Sequence, residues 1–220
     1  QDYFNINNQN KQVLLLSSSK RKKLPNFIEE ILTLVAPEKK IYKSKSIGST
    51  INSRFCLQQI NSKVAVSELI TKWWNQKLES KFSKSLFLKR RLFISRKNAS
   101  YRRCLNEEKL YESLKSLGFE SVNLEKLSVF NQLKIFSEAS VVVSTHGAGL
   151  SNLLACNPGT KILEMVPNGG NYSHYYFMSS MLKLCHAHIK GIEVDSRSND
   201  FYISIGGIHK LLSKLEVHPL

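Results

Sequence analysis

The stretch at residues 141–167, VVVSTHGAGLSNLLACNPGTKILEMVP, decides the fold. It opens with the apolar run VVVST, which predicts a buried strand, and the glycine-bearing turn HGAG follows at once. GLSNLLAC is predicted to form a helix, and KILEMV a second buried strand. Strands that are apolar throughout, rather than alternating, are typical of a parallel sheet covered on both faces.

The same alternation of strand and helix continues on both sides of this stretch and predicts an α/β fold with doubly wound parallel sheets. The first half of the chain is less regular, and its periodicity fades near residues 81–89. We therefore expect two α/β units facing a cleft, an N-terminal one at residues 1–84 and a C-terminal one at residues 85–220. The predicted strands are residues 12–19, 91–96, 119–124, 141–145, 161–166 and 186–194, and the predicted helices are residues 24–37, 66–82, 106–118, 128–140, 149–156, 174–184 and 206–215.

The composition is that of a folded and strongly basic protein. The 220 residues are 42% hydrophobic and 22% charged, enough apolar material for a core. The net charge of +15 predicts an anionic partner: nucleic acid, anionic lipid or a nucleotide diphosphate. Lysine is spread along the chain, and the runs KRKK and KRR are typical of solvated surface.

Several classes of site and protein are disfavoured. The four cysteines lie far apart with no CxxC pair, which argues against a zinc knuckle and a dense disulfide framework. No apolar run approaches the roughly 20 residues that span a bilayer. No Asp-x-Asp motif is present to hold a divalent ion against a diphosphate.

The turn after the strand VVVST is the first candidate site, because open α/β sheets bind ligands where strands end and helices begin. Gly147 and Gly149 let the backbone approach an anion, and His146 adds an imidazole. The spacing matches neither a dinucleotide fingerprint nor a P-loop, and a tight turn with a capping histidine is the alternative. The remaining candidate groups of this loop are Ala148, Leu150, Ser151 and Asn152.

Arginines follow a neighbouring predicted strand. Arg96 ends the strand RLFISR, and Arg102 precedes the next helix, so both are predicted at the same sheet edge as His146. Arginine forks match the oxygens of a diphosphate. Arg103 is expected to be solvated surface. Glu164 lies near a strand end, where it is a candidate for a ribose hydroxyl or for a structural role.

Taken together, ISRKNASYRRCLNE, the stretch SVFNQLKIFSEASVVVSTHGAGLSNLLACNPGTKILEMVP and the later YY pair resemble glycosyltransferase family 61. The resemblance is dense from residue 91 to about residue 190 and loose before that. It implies a GT-B fold of two Rossmann-like domains, the C-terminal one binding the donor. It also implies inverting, metal-independent transfer from a nucleotide-sugar, most simply a UDP-sugar, to a glycan, glycolipid or glycoprotein hydroxyl.

By the same resemblance, His146, Ser151 and Asn152 contact the donor diphosphate, flanked by Arg96 and Arg102. Asn106 and Gln132 match family positions with structural roles, and His174, Tyr175 and Tyr176 are candidates for the sugar side. His186 and His188 are expected to be ordinary strand residues. The first half contains no histidine for a general base. Either the chain is a short member or an N-terminal portion is missing, and no base is assigned.

Two alternatives to a glycosyltransferase remain: a basic nucleic-acid-binding protein, which lacks a recognisable binding motif, and a non-catalytic nucleotide-binding relic. The sequence leaves two cellular locations open for the protein. A bacterial cytoplasmic enzyme of polysaccharide synthesis would bring the cationic runs to an anionic membrane surface, whereas a eukaryotic member would lie in the secretory lumen.

Overall fold

The computed structural model describes residues 13–16, 26–35, 41–44, 76, 90–169, 172–195 and 197–219. It divides the chain into two compact units, Gln1–Gln59 and Ile60–Leu220. The predicted helix at residues 66–82 and the predicted domain boundary between residues 84 and 85 lie outside the described residues, apart from the helical Gln76. That boundary therefore stays a prediction.

The first unit contains a strand–helix–strand motif: β1 (Val13–Leu16), α1 (Asn26–Val35) and β2 (Ile41–Ser44). The two strands pair in parallel, with Val13 opposite Ile41. Parallel neighbours need a crossover connection, which the helix supplies. The strand predicted at residues 12–19 and the helix predicted at residues 24–37 are confirmed in their described parts.

The second unit is built on a five-stranded parallel sheet with the strand order β4-β3-β5-β6-β7. The central strand carries Val141, Val142 and Val143, all essentially inaccessible to solvent. Both of its faces are therefore covered, as the continuous apolar run predicts. The strands are β3 (Arg90–Ile94), β4 (Phe119–Val122), β5 (Ala139–Thr145), β6 (Lys161–Val166) and β7 (Cys185–Lys190).

Helices flank this sheet, so the unit is Rossmann-like α/β. The helices are α2 (Glu107–Lys115), α3 (Val129–Ser137), α4 (His174–Met181) and α5 (Ile205–Lys214). Ser128 and Ser204 cap α3 and α5, because each hydroxyl accepts from a backbone N–H three residues on. The main core packs Leu110 of α2 and Ile208 of α5 against strand residues such as Phe93. None of the described helices is long and apolar enough to cross a bilayer.

The helix predicted at residues 149–156 is confirmed, and it is a 3₁₀ helix over Ala148–Ala155. The side-chain amide of Asn152 donates to the carbonyl of Gly149, the acceptor that an α-helix would give to residue 153. Backbone bonds three residues apart, such as Leu150 N–H to the Gly147 carbonyl, close the turns instead.

The single strand predicted at residues 186–194 is wrong. Strand β7 ends at Lys190, and after Gly191 a separate strand, β8 (Ile192–Asp195), pairs antiparallel with β9 (Asp200–Tyr202). A Cβ at Gly191 would overlap the ring of Phe201. The fully buried Phe201 side chain therefore explains why residue 191 is a glycine.

Candidate functional site

The candidate site lies at the carboxyl edge of the parallel sheet. Ile94 of β3 pairs with Ser144 of β5, and Ser144 pairs with Glu164 of β6. Arg96 and His146 each follow these paired positions by two residues. The shared edge predicted for the arginine and the histidine is therefore present.

Arg96 lies directly against the glycine turn. A Cβ at Gly147 would overlap its guanidinium, so only glycine leaves room for Arg96 in this position. Arg96 Nη2 donates to the carbonyl of Tyr101 at 3.3 Å. Burial, and then the charge of Arg102, lower the pKa of Arg96. The two cations are thus close enough to repel.

Arg102 is held in place by its backbone. Its φ of 56° is in the left-handed region, and its N–H donates to the carbonyl of Ser198 at 2.8 Å. Its guanidinium carbon lies 4.8 Å from the centre of the Tyr101 ring. Its backbone hydrogen bond to Ser198 and its contact with Tyr101 therefore fix the position of Arg102.

Three polar atoms at this edge are buried without a hydrogen-bond partner among the described residues: Arg96 Nε, Arg102 Nε and Thr145 Oγ1. A buried donor that makes no hydrogen bond costs about 1–3 kcal/mol, and more when it is charged. An anion between the guanidiniums would satisfy both Nε donors and relieve their repulsion. The arrangement is therefore suited to an anionic ligand.

The segment around Arg102 is fastened by its neighbours. Glu107 accepts from the Ser95 hydroxyl at 2.5 Å and from the Arg96 N–H at 3.0 Å. Asn106 exchanges two hydrogen bonds with the backbone of Ile203, which confirms its predicted structural role.

Arg103 is exposed, as predicted, with a side-chain exposure of 48%, and it also holds a buried acidic partner. Its Nε and Nη2 donate to Oδ2 of buried Asp200, and its backbone N–H donates to Oδ1. Arg103 thus ties β9 to the segment that carries Arg102.

His146 is buried rather than presented on an open turn, with a side-chain exposure of 3%. Its Nδ1 lies 2.5 Å from Glu164 Oε1. Its ring packs against Tyr172, His174 and Tyr175 at centroid distances of 4.4, 4.7 and 5.2 Å. The His146–Glu164 pair was not predicted.

Of the other residues in this loop, some are exposed and some are buried inside the protein. Ala148 and Ser151 are exposed, and Ser151 shares a side-chain hydrogen bond with Tyr175. Leu150 is fully buried. The Asn152 amide donates to Gln132 Oε1 and to the Gly149 carbonyl, each at 3.0 Å.

Gln132 in turn donates from Nε2 to the carbonyls of Leu124 and Leu127. Its predicted structural role is therefore confirmed, and the side-chain donors of Asn152 are already used inside the protein.

A cavity of about 430 Å³ opens beside Glu164. Tyr176 and His188 belong to its lining, whereas Tyr175 is buried outside it. The cavity is lined by Glu164, Val166, Tyr172, Ser173, Tyr176, His188 and Lys190.

Among the described residues, no group of three or more His, Cys, Asp or Glu side chains is arranged to hold a metal ion.

Fold and site together define a Rossmann-like α/β protein with a pair of interacting arginines at the carboxyl edge of its sheet. The model of the family described as Glycosyltransferase 61 matches residues 14–163, most of the chain. The chain belongs to the glycosyltransferase 61 family, as its sequence predicts.

Two curated plant relatives match over shorter segments. A beta-1,2-xylosyltransferase of Oryza sativa subsp. japonica is 30% identical over 107 residues, 43% of this chain and 20% of the rice protein. A beta-1,2-xylosyltransferase of Arabidopsis thaliana is 31% identical over 77 residues, 29% of this chain and 14% of that protein. The matches thus span a fifth or less of these relatives.

Proposed function

We propose that this chain binds the donor of an inverting glycosyltransferase that moves a sugar from a nucleotide-sugar to a glycan hydroxyl. The family supports glycosyl transfer. The observation that carries the donor assignment is the pair of buried, unpartnered Nε atoms of Arg96, which lies against Gly147, and of Arg102, whose charge acts on Arg96. A diphosphate matches this pair in charge and in its number of acceptor oxygens.

The chemistry follows from the leaving group. As the glycosidic bond to the nucleoside diphosphate breaks, negative charge grows on the phosphate oxygen. Arg96 and Arg102 would stabilise that charge from fixed positions, with His146 beside them and no metal ion. Removing one preorganised donor of this kind typically slows the chemical step about a hundredfold, or roughly 3 kcal/mol. The general base that activates the acceptor is not assigned.

The donor is proposed to be a UDP-sugar, and UDP-xylose is the first to test because both relatives are named for xylosyl transfer. The cavity beside Glu164 is the candidate space for the sugar, with Tyr176 in its wall. Both relatives are plant proteins, which favours the secretory lumen over a bacterial cytoplasm.

Thermal shift with nucleotides tests the proposal. UDP and UDP-xylose are expected to raise the Tm of the full chain equally with and without EDTA, because ligand binding stabilises the folded state. The shift should disappear in Arg96→Ala and Arg102→Ala. Arg197→Ala is the matched control, since it removes an equal charge from an exposed residue.

Two outcomes would contradict the proposal. If no nucleoside diphosphate raises the Tm, the donor site is wrong. If EDTA abolishes the shift, metal-independent binding is wrong. Salt-sensitive binding of DNA or RNA without any nucleotide effect would instead favour the nucleic-acid alternative.

A further inference from the structure

A buried chain of hydrogen bonds runs behind His146. The Ser179 hydroxyl lies 2.8 Å from His186 Nδ1, and His186 Nε2 lies 3.1 Å from Glu164 Oε2. Glu164 Oε1 then meets His146 Nδ1 at 2.5 Å. The side chains of Glu164, His186 and His146 are only 1%, 2% and 3% exposed. Four side chains from β6, α4, β7 and the turn after β5 thus form one continuous chain.

The carboxylate sets the protonation of both imidazoles. Burial alone would raise the pKa of Glu164, but the hydrogen bonds from His146 and His186 outweigh it and hold the pKa below its usual value. An ionised carboxylate only accepts hydrogen bonds, so His146 Nδ1 and His186 Nε2 both carry a proton. The Ser179 hydroxyl can then donate to His186 Nδ1, which fixes the orientation of the His186 ring.

This arrangement restricts what His146 can offer a ligand. Nε2 of His146 has no hydrogen-bond partner among the described residues. With its only proton on Nδ1, the neutral ring presents a lone pair at Nε2, and a lone pair repels phosphate oxygens. The ring becomes a donor toward a phosphate only after Nε2 takes up a second proton.

We propose that Glu164, held by His186 and Ser179, is a positioning residue that keeps one proton on His146 Nδ1, so that donor binding requires His146 to take up a second proton at Nε2. The inference rests on the proposed donor site. It assigns Glu164 to the support of His146 rather than to a ribose hydroxyl. In this step one proton moves from solvent to His146 Nε2, and no proton moves along the hydrogen bonds that lead to Ser179.

A bound diphosphate would supply an acceptor oxygen for the new N–H, which is why proton uptake would accompany binding. Glu164 on β6 and Tyr172, His174 and Tyr175 next to or on α4 contact His146 directly. Arg96 lies against the neighbouring Gly147, and the charge of Arg102 acts on His174 and Tyr175.

Calorimetric titration of the full chain with UDP-xylose measures the proton directly. This ligand lacks the terminal phosphate monoester that titrates near about pH 6 in UDP, so any proton exchanged belongs to the protein. Titrations in two buffers of different ionisation enthalpy give the number of protons taken up. We expect a net uptake of protons that approaches one proton per bound UDP-xylose as the pH rises. Affinity should then fall by up to about tenfold per pH unit.

Variants separate this role from a structural one. His146→Gln should show no proton uptake, and Glu164→Gln should lose the wild-type pH dependence while Glu164→Asp restores part of it. Arg197→Ala should retain wild-type uptake. Because Glu164 variants could unfold, the nitrogen NMR shifts of His146 in the free wild-type chain give a second test, with the Nδ1-protonated form expected at high pH.

The outcomes distinguish this inference from the proposed function. Binding of UDP-xylose with no proton uptake and a flat pH profile overturns the inference and leaves the donor site intact. A neutral His146 with its proton on Nε2 also overturns it. The absence of any UDP or UDP-xylose binding contradicts the proposed function itself.

Discussion

At the scale of single residues, Gly147 determines where the Arg96 guanidinium can lie. Its backbone is extended, with a φ of 172°, so the main chain would accept any residue. The constraint is the space that the Arg96 guanidinium occupies. The glycine thus serves the position of an arginine rather than a backbone conformation.

We therefore expect Gly147→Ala to fold with nearly unchanged Tm, because the Arg96 side chain is flexible and can move away from the new methyl group. Displacing that guanidinium should weaken UDP binding about tenfold or more, as loss of a charged hydrogen bond does. Titration calorimetry and a thermal melt measure the two effects.

Gly206→Ala is the matched control, because a Cβ there meets nothing within 4 Å. It should leave UDP binding unchanged. Equal affinity of Gly147→Ala and the wild type would show that Arg96 does not contact the ligand.

At the scale of elements, the site depends on β9, a strand that the sequence analysis did not predict. The Arg103–Asp200 pair and the Asn106–Ile203 bonds attach this strand and the residue after it to the segment before α2. Arg102 lies in the same segment, so its placement depends on a contact between residues nearly 100 positions apart.

This connection predicts acid sensitivity. The hydrogen bond from Arg103 holds the pKa of Asp200 below its usual value. A depressed folded-state pKa adds stability above the unfolded-state value of about 3.9, and that stability is lost as pH falls through the folded-state pKa. Arg103→Ala raises the pKa of Asp200, so the acid-unfolding midpoint should move to higher pH.

Circular dichroism across an acid titration measures that midpoint. Lys115→Ala, which removes an exposed cation paired with Glu112, should leave it unchanged. An unshifted midpoint in Arg103→Ala would mean that the pair does not couple folding to pH.

At the scale of the whole molecule, the parallel sheet and the common edge of Arg96 and His146 could be predicted, because continuous apolar runs separated by helices permit few topologies. The hydrogen bonds that link Ser179, His186, Glu164 and His146 could not be predicted from the sequence. They depend on the register that places Ile162 opposite His186, which brings that ring within reach of Glu164.

One signal was present in the sequence. A glutamate inside the apolar strand KILEMV must find buried partners, because a lone carboxylate cannot be buried cheaply. The identity of those partners required the fold. The role of Gly191 was missed for the same reason, since the contact that requires a glycine there is with the distant Phe201.

A crystal structure of the full chain with UDP, grown in EDTA, would show whether the Arg96–Arg102 pair binds the diphosphate of a nucleotide-sugar. We expect phosphate oxygens within about 3.2 Å of the Nε atoms of both arginines, next to Gly147. A diphosphate bound elsewhere, or held through a metal ion with both Nε atoms still unpaired, would contradict it.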